Sequence, residues 1–412
     1  MNKMNLCKQR QTKKRALILT SLTVLALPLV LPLQKAAAFS FSPVINFNGT
    51  NGAEPKAGVL KGSDNNLYGT TSQGGSSSNN GTAFKLSGPT LTTLTTLINF
   101  NGTASPNKGT NPVARLFQAA DGTLYGVTAT GGTSNLGTLF KLASPSFTTL
   151  TTLVDFSGIL GTKVGGNPAG RLISGSDGNF WGTTSTGGVN NLGTIFKISP
   201  SGTLTTVAIF NGTNGAIPLA RLQQATDGKY YGTASEGGAT DRGVVFEYDS
   251  ATATLTVSSF NGANGEAPQS GLIESGGFLY GTTKRGGGSS NKGVIFKIPL
   301  GFTSSTAPTL VVSFNGTNGA KPTAALTPGA SGIFYGTTSA GGVNGTGVIY
   351  KLTTTGTPTI TTLYSFNALG TGGTNVGGAR PESTLIPVGT DYYGTASGGG
   401  TSGRGTVFKF TP

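Results

Sequence analysis

Three arginines, Arg115, Arg171 and Arg221, each stand three positions after a proline, at Pro112, Pro168 and Pro218. A guanidinium is a planar, permanently charged fork that grips a carboxylate or sulfate through two parallel hydrogen bonds. If the segments after these prolines converge, the three side chains can form one anion site. The alternative is structural, each arginine bonding loop carbonyls or an acid such as Asp155. A second charged group follows, with Glu236, Asp241 and Arg242 in one loop and Lys284, Arg285 and Lys292 in the next. Glu236 and Asp241 are the candidate acid pair for glycoside hydrolysis, which needs two carboxylates about 5 to 9.5 Å apart. Solvated salt bridges between adjacent loops are the plainer reading of the same residues.

Other chemistry is excluded by composition. The chain has no histidine, and its one cysteine is Cys7. Imidazole general bases, Ser-His triads, thiolate nucleophiles and Cys- or His-ligated metals therefore fall away from the mature chain. Calcium loops need several oxygen ligands at close spacing, whereas each Asp-Gly turn here offers one carboxylate. No catalytic residue, cofactor or metal is expected. Carboxylate, tyrosine, lysine and arginine chemistry remains.

Residues 1–15 carry Lys3, Lys8, Arg10, Lys13, Lys14 and Arg15 without an acid, and an apolar run to Leu33 leads to Ala36-Ala37-Ala38. A basic start, an apolar middle and an A-x-A site make a secretory signal peptide, expected to be cleaved after Ala38. An uncleaved signal anchor is the alternative, disfavoured by Pro28, Pro32 and the cleavage site. Residues 1–38 hold seven basic residues and no acid, so the formal charge falls from +14 to +7 on cleavage. A basic exported protein points to anionic glycans or envelope polymers rather than nucleic acid.

The elements that must position these residues are repeats. An aromatic-Gly pair recurs at Tyr68, Tyr125, Trp181, Tyr231, Tyr280, Tyr335 and Tyr393, followed by an aromatic at Phe84, Phe140, Phe196, Phe246, Phe296, Tyr350 and Phe408. Each unit reads as four short strands; in the second these are Ala114–Gln118, Thr123–Thr128, Gly137–Leu142 and Leu150–Phe156. Asp121-Gly122, Asp177-Gly178 and Asp227-Gly228 predict tight hairpins with positive φ at both central residues. Lysines after the third-strand aromatic, replaced by Glu247 in the fourth unit, read as solvated strand ends with snorkelling stems.

Seven four-stranded units predict an all-β fold, a seven-bladed β-propeller spanning 39–412 as one domain. The mature chain opens with a lone fourth strand, Phe41–Phe47, and ends with three strands, so the N-terminal strand is expected to complete the last blade in a 1+3 closure. That topology puts the post-phenylalanine loops and the Gly-Gly loops on one face, the default place for a ligand.

The motifs L-Y-G-T-T-x-x-G-G and G-T-x-F-K, joined by F-N-G-T-N-G-A-x-P, resemble the Gloeo/Verruco (GloVer) tandem repeat of secreted bacterial proteins, often described as choice-of-anchor proteins. The resemblance covers residues 41–410 and implies export and a bacterial source, with no activity or catalytic residues to carry over. The chain stops at Phe410-Thr411-Pro412, so release is expected rather than surface anchoring. The expected protein is a secreted, monomeric, non-catalytic propeller without a membrane span in the mature chain, binding a ligand such as an anionic glycan or cell-envelope polymer. The candidate ligand-binding set is Arg115, Arg171, Arg221, Glu236, Asp241, Arg242, Lys284 and Arg285. A polysaccharide lyase or glycoside hydrolase on the same scaffold, or a structural envelope protein, are the alternatives.

Overall fold

The computed structural model describes residues 39–76 and 78–412; the expected signal segment, 1–38, lies outside the described residues. The second unit forms strands at Phe117–Gln118, Leu124–Thr128, Thr138–Leu142 and Leu150–Asp155. They pair antiparallel in chain order, and the same meander recurs to give seven sheets arranged as the blades of a β-propeller. Among the described residues no helix is long and apolar enough to cross a membrane.

The N-terminal strand closes the propeller. Ser40–Asn46 pairs antiparallel with Thr406–Thr411, from Ser40 opposite Thr411 to Asn46 opposite Thr406. It is thus the outer strand of the seventh blade, and Thr406–Thr411, which would otherwise be the edge, is paired on both sides.

The innermost strands are shorter than their sequences suggest. In the second blade only Phe117–Gln118 joins the ladder there, while upstream Thr110 bridges to Thr130. The intervening segment leaves the sheet because Pro112 lacks an N–H and because the Ala114 carbonyl, two residues on, is claimed by the neighbouring blade. Thr70 Oγ1 of the first blade donates to Ala114 O at 3.4 Å, and Thr183 to Ala220 O, Thr233 to Ser270 O, Thr337 to Ser383 O and Thr395 to Ala57 O do the same. These unpaired segments face the central bore, which places the residues after each proline along it.

The Asp-Gly turns also differ from expectation. Gly122 N donates to Ala119 O and Ala119 N to Thr123 O, with φ of 83° at Gly122 and no positive φ at Asp121. This is a type I turn closed by a left-handed glycine, and the Asp121 carboxylate instead accepts Thr123 N at 2.9 Å.

The core lies between blades. Gly281 sits opposite Phe296 in the ladder, and a Cβ there would meet the Phe296 ring at 2.6 Å. The third-strand ring therefore covers the glycine of its own blade. Each such ring is met edge-on by the phenylalanine ending the preceding blade, as Phe100 meets Phe140 at 5.2 Å and Phe47 meets Phe84 at 5.2 Å. The tyrosines and tryptophan beside the glycines are core residues anchored from below. Tyr68 donates to Asp64, Trp181 to Asp177 and Tyr231 to Asp227.

Candidate functional site

The residues three positions after each proline meet in one place. Gly58, Arg115, Arg171, Arg221, Gly271, Ala325 and Thr384 all line a bore cavity of about 200 Å³. The residues immediately after the prolines, among them Lys56, Gln269, Thr323 and Glu382, form the layer above it. A further cavity of about 340 Å³ lies beyond, and Arg115 and Arg221 border both. The arginine layer is thus the waist of the channel.

The loop-rich face lies at the end of the bore from which these segments enter. Gly75 N donates to Gly49 O and Gly132 N to Gly102 O, tying each Gly-Gly loop to the Asn-Gly loop that precedes it in the chain. The two loop families therefore share one rim, as the topology requires.

Electrostatics single out the waist. Among the described residues none of the three guanidiniums lies within 4.0 Å of a carboxylate. Burial, followed by the charges of Arg171 and Arg221, pushes Arg115 down to about 9. Burial alone lowers Arg171 to about 10, and burial with the charge of Arg171 lowers Arg221 to about 9. The side chains keep partial exposure because they face the bore, while protein surrounds them laterally. All three remain cationic at neutral pH.

The second charged group is organised differently from the sequence expectation. Glu266 is the hub, paired with Arg242 and with Arg285 Nε at 3.1 Å. It is the single acid two positions before a proline, a signal visible once the copies are aligned. Asp241 has φ of 54° and accepts Gly237 N at 2.9 Å, the role that Asn135 and Asn191 play in their own loops. Glu236 lies exposed on the rim and Lys284 is half-buried; neither has an ion pair among the described residues. Asp155 is taken by Lys108 at 3.0 Å and by Thr133, and none of the three arginines touches it.

The repeat itself matches a known family along its whole length, over residues 33–229, 202–377 and 302–412. The chain belongs to the Gloeobacter/Verrucomicrobia repeat family. No curated protein sequence matches it. Among solved structures, this member of the repeat family resembles the extracellular domain of a candidate hybrid two-component system from B. thetaiotaomicron, with a TM-score of 0.55 and 11% identity. The match covers 90% of this chain and 42% of that one, so the chain spans less than half the length of that protein. A candidate 6-phosphogluconolactonase from Bacteroides uniformis aligns with a TM-score of 0.49 and 16% identity, over 78% of this chain and 85% of that one. At such identities the likeness concerns the fold alone.

Proposed function

We propose that the protein is an exported, non-catalytic binding propeller that takes an anionic polysaccharide on its loop-rich face, at the mouth of the central bore. The observation that carries this reading is the convergence of Arg115 and Arg171, charged and without a carboxylate partner among the described residues. Unpaired cations in a lined cavity cost desolvation that an anionic ligand offsets. The basic, apolar and A-x-A pattern of residues 1–38 supports export. Residues 39–412 are screened for binding to acidic and sulfated polysaccharides beside a reducing-end release assay. Binding to an acidic polymer that is lost in the Arg115→Ala, Arg171→Ala double variant, without release of reducing ends, is the expected result. Undiminished binding in the double variant would sink the site assignment, and released reducing ends would favour a hydrolase or lyase.

A further inference from the structure

The arginine layer is lopsided. Three consecutive blades send Arg115, Arg171 and Arg221 into the bore, and the other four offer only Gly271, Ala325, Thr384 and Gly58. The small residues leave the space that the arginines border. The arginines are not equivalent either. Arg221 lies over Gly271, where a Cβ would meet its Cγ at 2.8 Å, and donates to Leu272 O at 2.8 Å, Leu222 O at 3.2 Å and Gln223 Oε1 at 2.8 Å. Arg171 makes one long bond, to Leu172 O at 3.4 Å, and Arg115 makes none among the described residues. In the layer above, Thr323 Oγ1 is buried without a hydrogen-bond partner.

We propose that this cavity is a site for one compact oxyanion, a carboxylate or sulfate gripped by Arg115 and Arg171, so that an acidic glycan is captured by a single charged end group or branch. The proposal rests on the anionic-glycan reading above and narrows it. The cavity, about 200 Å³ and lined at one level by the three arginines, has room for one charged substituent. Arg115 and Arg221 border both this cavity and the one beyond, so their side chains lie across the route between the two. The two guanidiniums with spare donors supply the fork that one oxyanion needs. Mutual repulsion in the layer, already visible in the lowered Arg115, is offset by the same negative charge.

Titration calorimetry at matched ionic strength, with chloride as the background anion, tests this. Sulfate, monomeric galacturonate and polygalacturonate are titrated into residues 39–412 and into the Arg115→Gln, Arg171→Gln and Arg115→Lys variants. The expected result is saturable one-to-one binding of sulfate or the monomer, weakened at least tenfold in both glutamine variants. Arg115→Lys keeps the charge but loses the fork; it is expected to bind weakly, and it carries the comparison if a glutamine variant fails to give a native melt. Polymer binding without binding of either small anion overturns the end-group proposal and leaves the glycan reading standing. No binding by any of the three overturns both. Small-anion binding unchanged in every variant places the site elsewhere and overturns this proposal alone.

Discussion

Thr395 Oγ1 donates a hydrogen bond to the backbone carbonyl of Ala57 at 2.9 Å, joining residues 338 positions apart. The contact links the seventh blade to the first and repeats the bond by which Thr183 holds Ala220 and Thr233 holds Ser270. The threonine that directly follows the aromatic-Gly pair is thereby explained as a clasp on the neighbouring blade. The second blade has Val127 there and lacks the clasp.

Thr395→Val is expected to lower stability by about 1 kcal/mol, the net worth of a buried hydrogen bond. Val127→Thr should act in the opposite direction, with Gly170 O as the new acceptor. Urea denaturation of both variants checks the pair; equal stability of Thr395→Val and the parent would show that the clasp is dispensable.

Deleting residues 39–47 removes the strand paired with Thr406–Thr411 and the Phe47 ring packed on Phe84. The loss of several ladder bonds and one fully buried aromatic amounts to several kcal/mol. A sharp fall in melting temperature, or aggregation through the freed edge strand, is expected in thermal unfolding followed by light scattering. An unchanged melt would mean that the blades hold together without closure.

Gly281→Ala is expected to destabilise by about 1 to 3 kcal/mol, the usual range for overpacking. The new methyl would meet Phe296 at 2.6 Å and Leu272 at 2.8 Å, and both are fully buried. The double change Gly281→Ala, Phe296→Leu should recover part of the loss if the clash is the cause. Denaturation midpoints of the single and double variants decide it.

Ile217 precedes Pro218 with φ of 56°, a left-handed conformation that a β-branched residue adopts at a cost. The backbone there is fixed from outside, because Ile217 N donates to Leu192 O at 2.9 Å in the preceding blade. The second and third copies carry Asn111 and Asn167 at this position, with φ of 55° and 50°. Asparagine tolerates that region, so Ile217→Asn should raise stability by about 1 kcal/mol. A lower unfolding midpoint would mean that the apolar contacts of the half-buried isoleucine outweigh the strain.

Much of this was legible in the sequence because it repeats. The aromatic-Gly pairs, the third-strand aromatics and the one-plus-three ends fix the blades, and the constant offset from each proline brings Arg115, Arg171 and Arg221 together. The broken inner strands were hidden because Ala114 to Gln118 looks like a strand locally, while the group that claims its carbonyl lies on Thr70, in another blade. Asp241 reads as a free carboxylate in isolation; only its alignment with Asn135 and Asn191 reveals a loop brace. Glu266 stands where the other copies of the F-N-G-T-N-G-A-x-P motif carry a small neutral residue, but its role as hub comes from Arg242 and Arg285, which lie in two different Gly-Gly loops.

Acid should unfold the protein through the aspartates beneath the blades. Burial pushes Asp64 up, but hydrogen bonds from the Tyr68 hydroxyl and from Asn66 outweigh it and hold the carboxyl below its ordinary range. At Asp177 the burial effect is likewise overcome by bonds from Trp181, Asn179 and Lys197, and at Asp391 by Thr411 and Lys409. A carboxylate whose folded pKa lies below its unfolded value of about 3.9 contributes stability above that value and loses it as pH falls through the folded pKa. With no histidine in the chain, no side chain of ordinary pKa changes charge between about pH 5 and 8. The melting temperature should therefore stay level across that window and fall below about pH 4. Asp64→Asn and Asp177→Asn keep an acceptor for Tyr68 and Trp181 without a charge to titrate, so the double variant should melt lower at neutral pH and fall less steeply in acid. A parallel acid slope in parent and variant would assign acid unfolding to other groups.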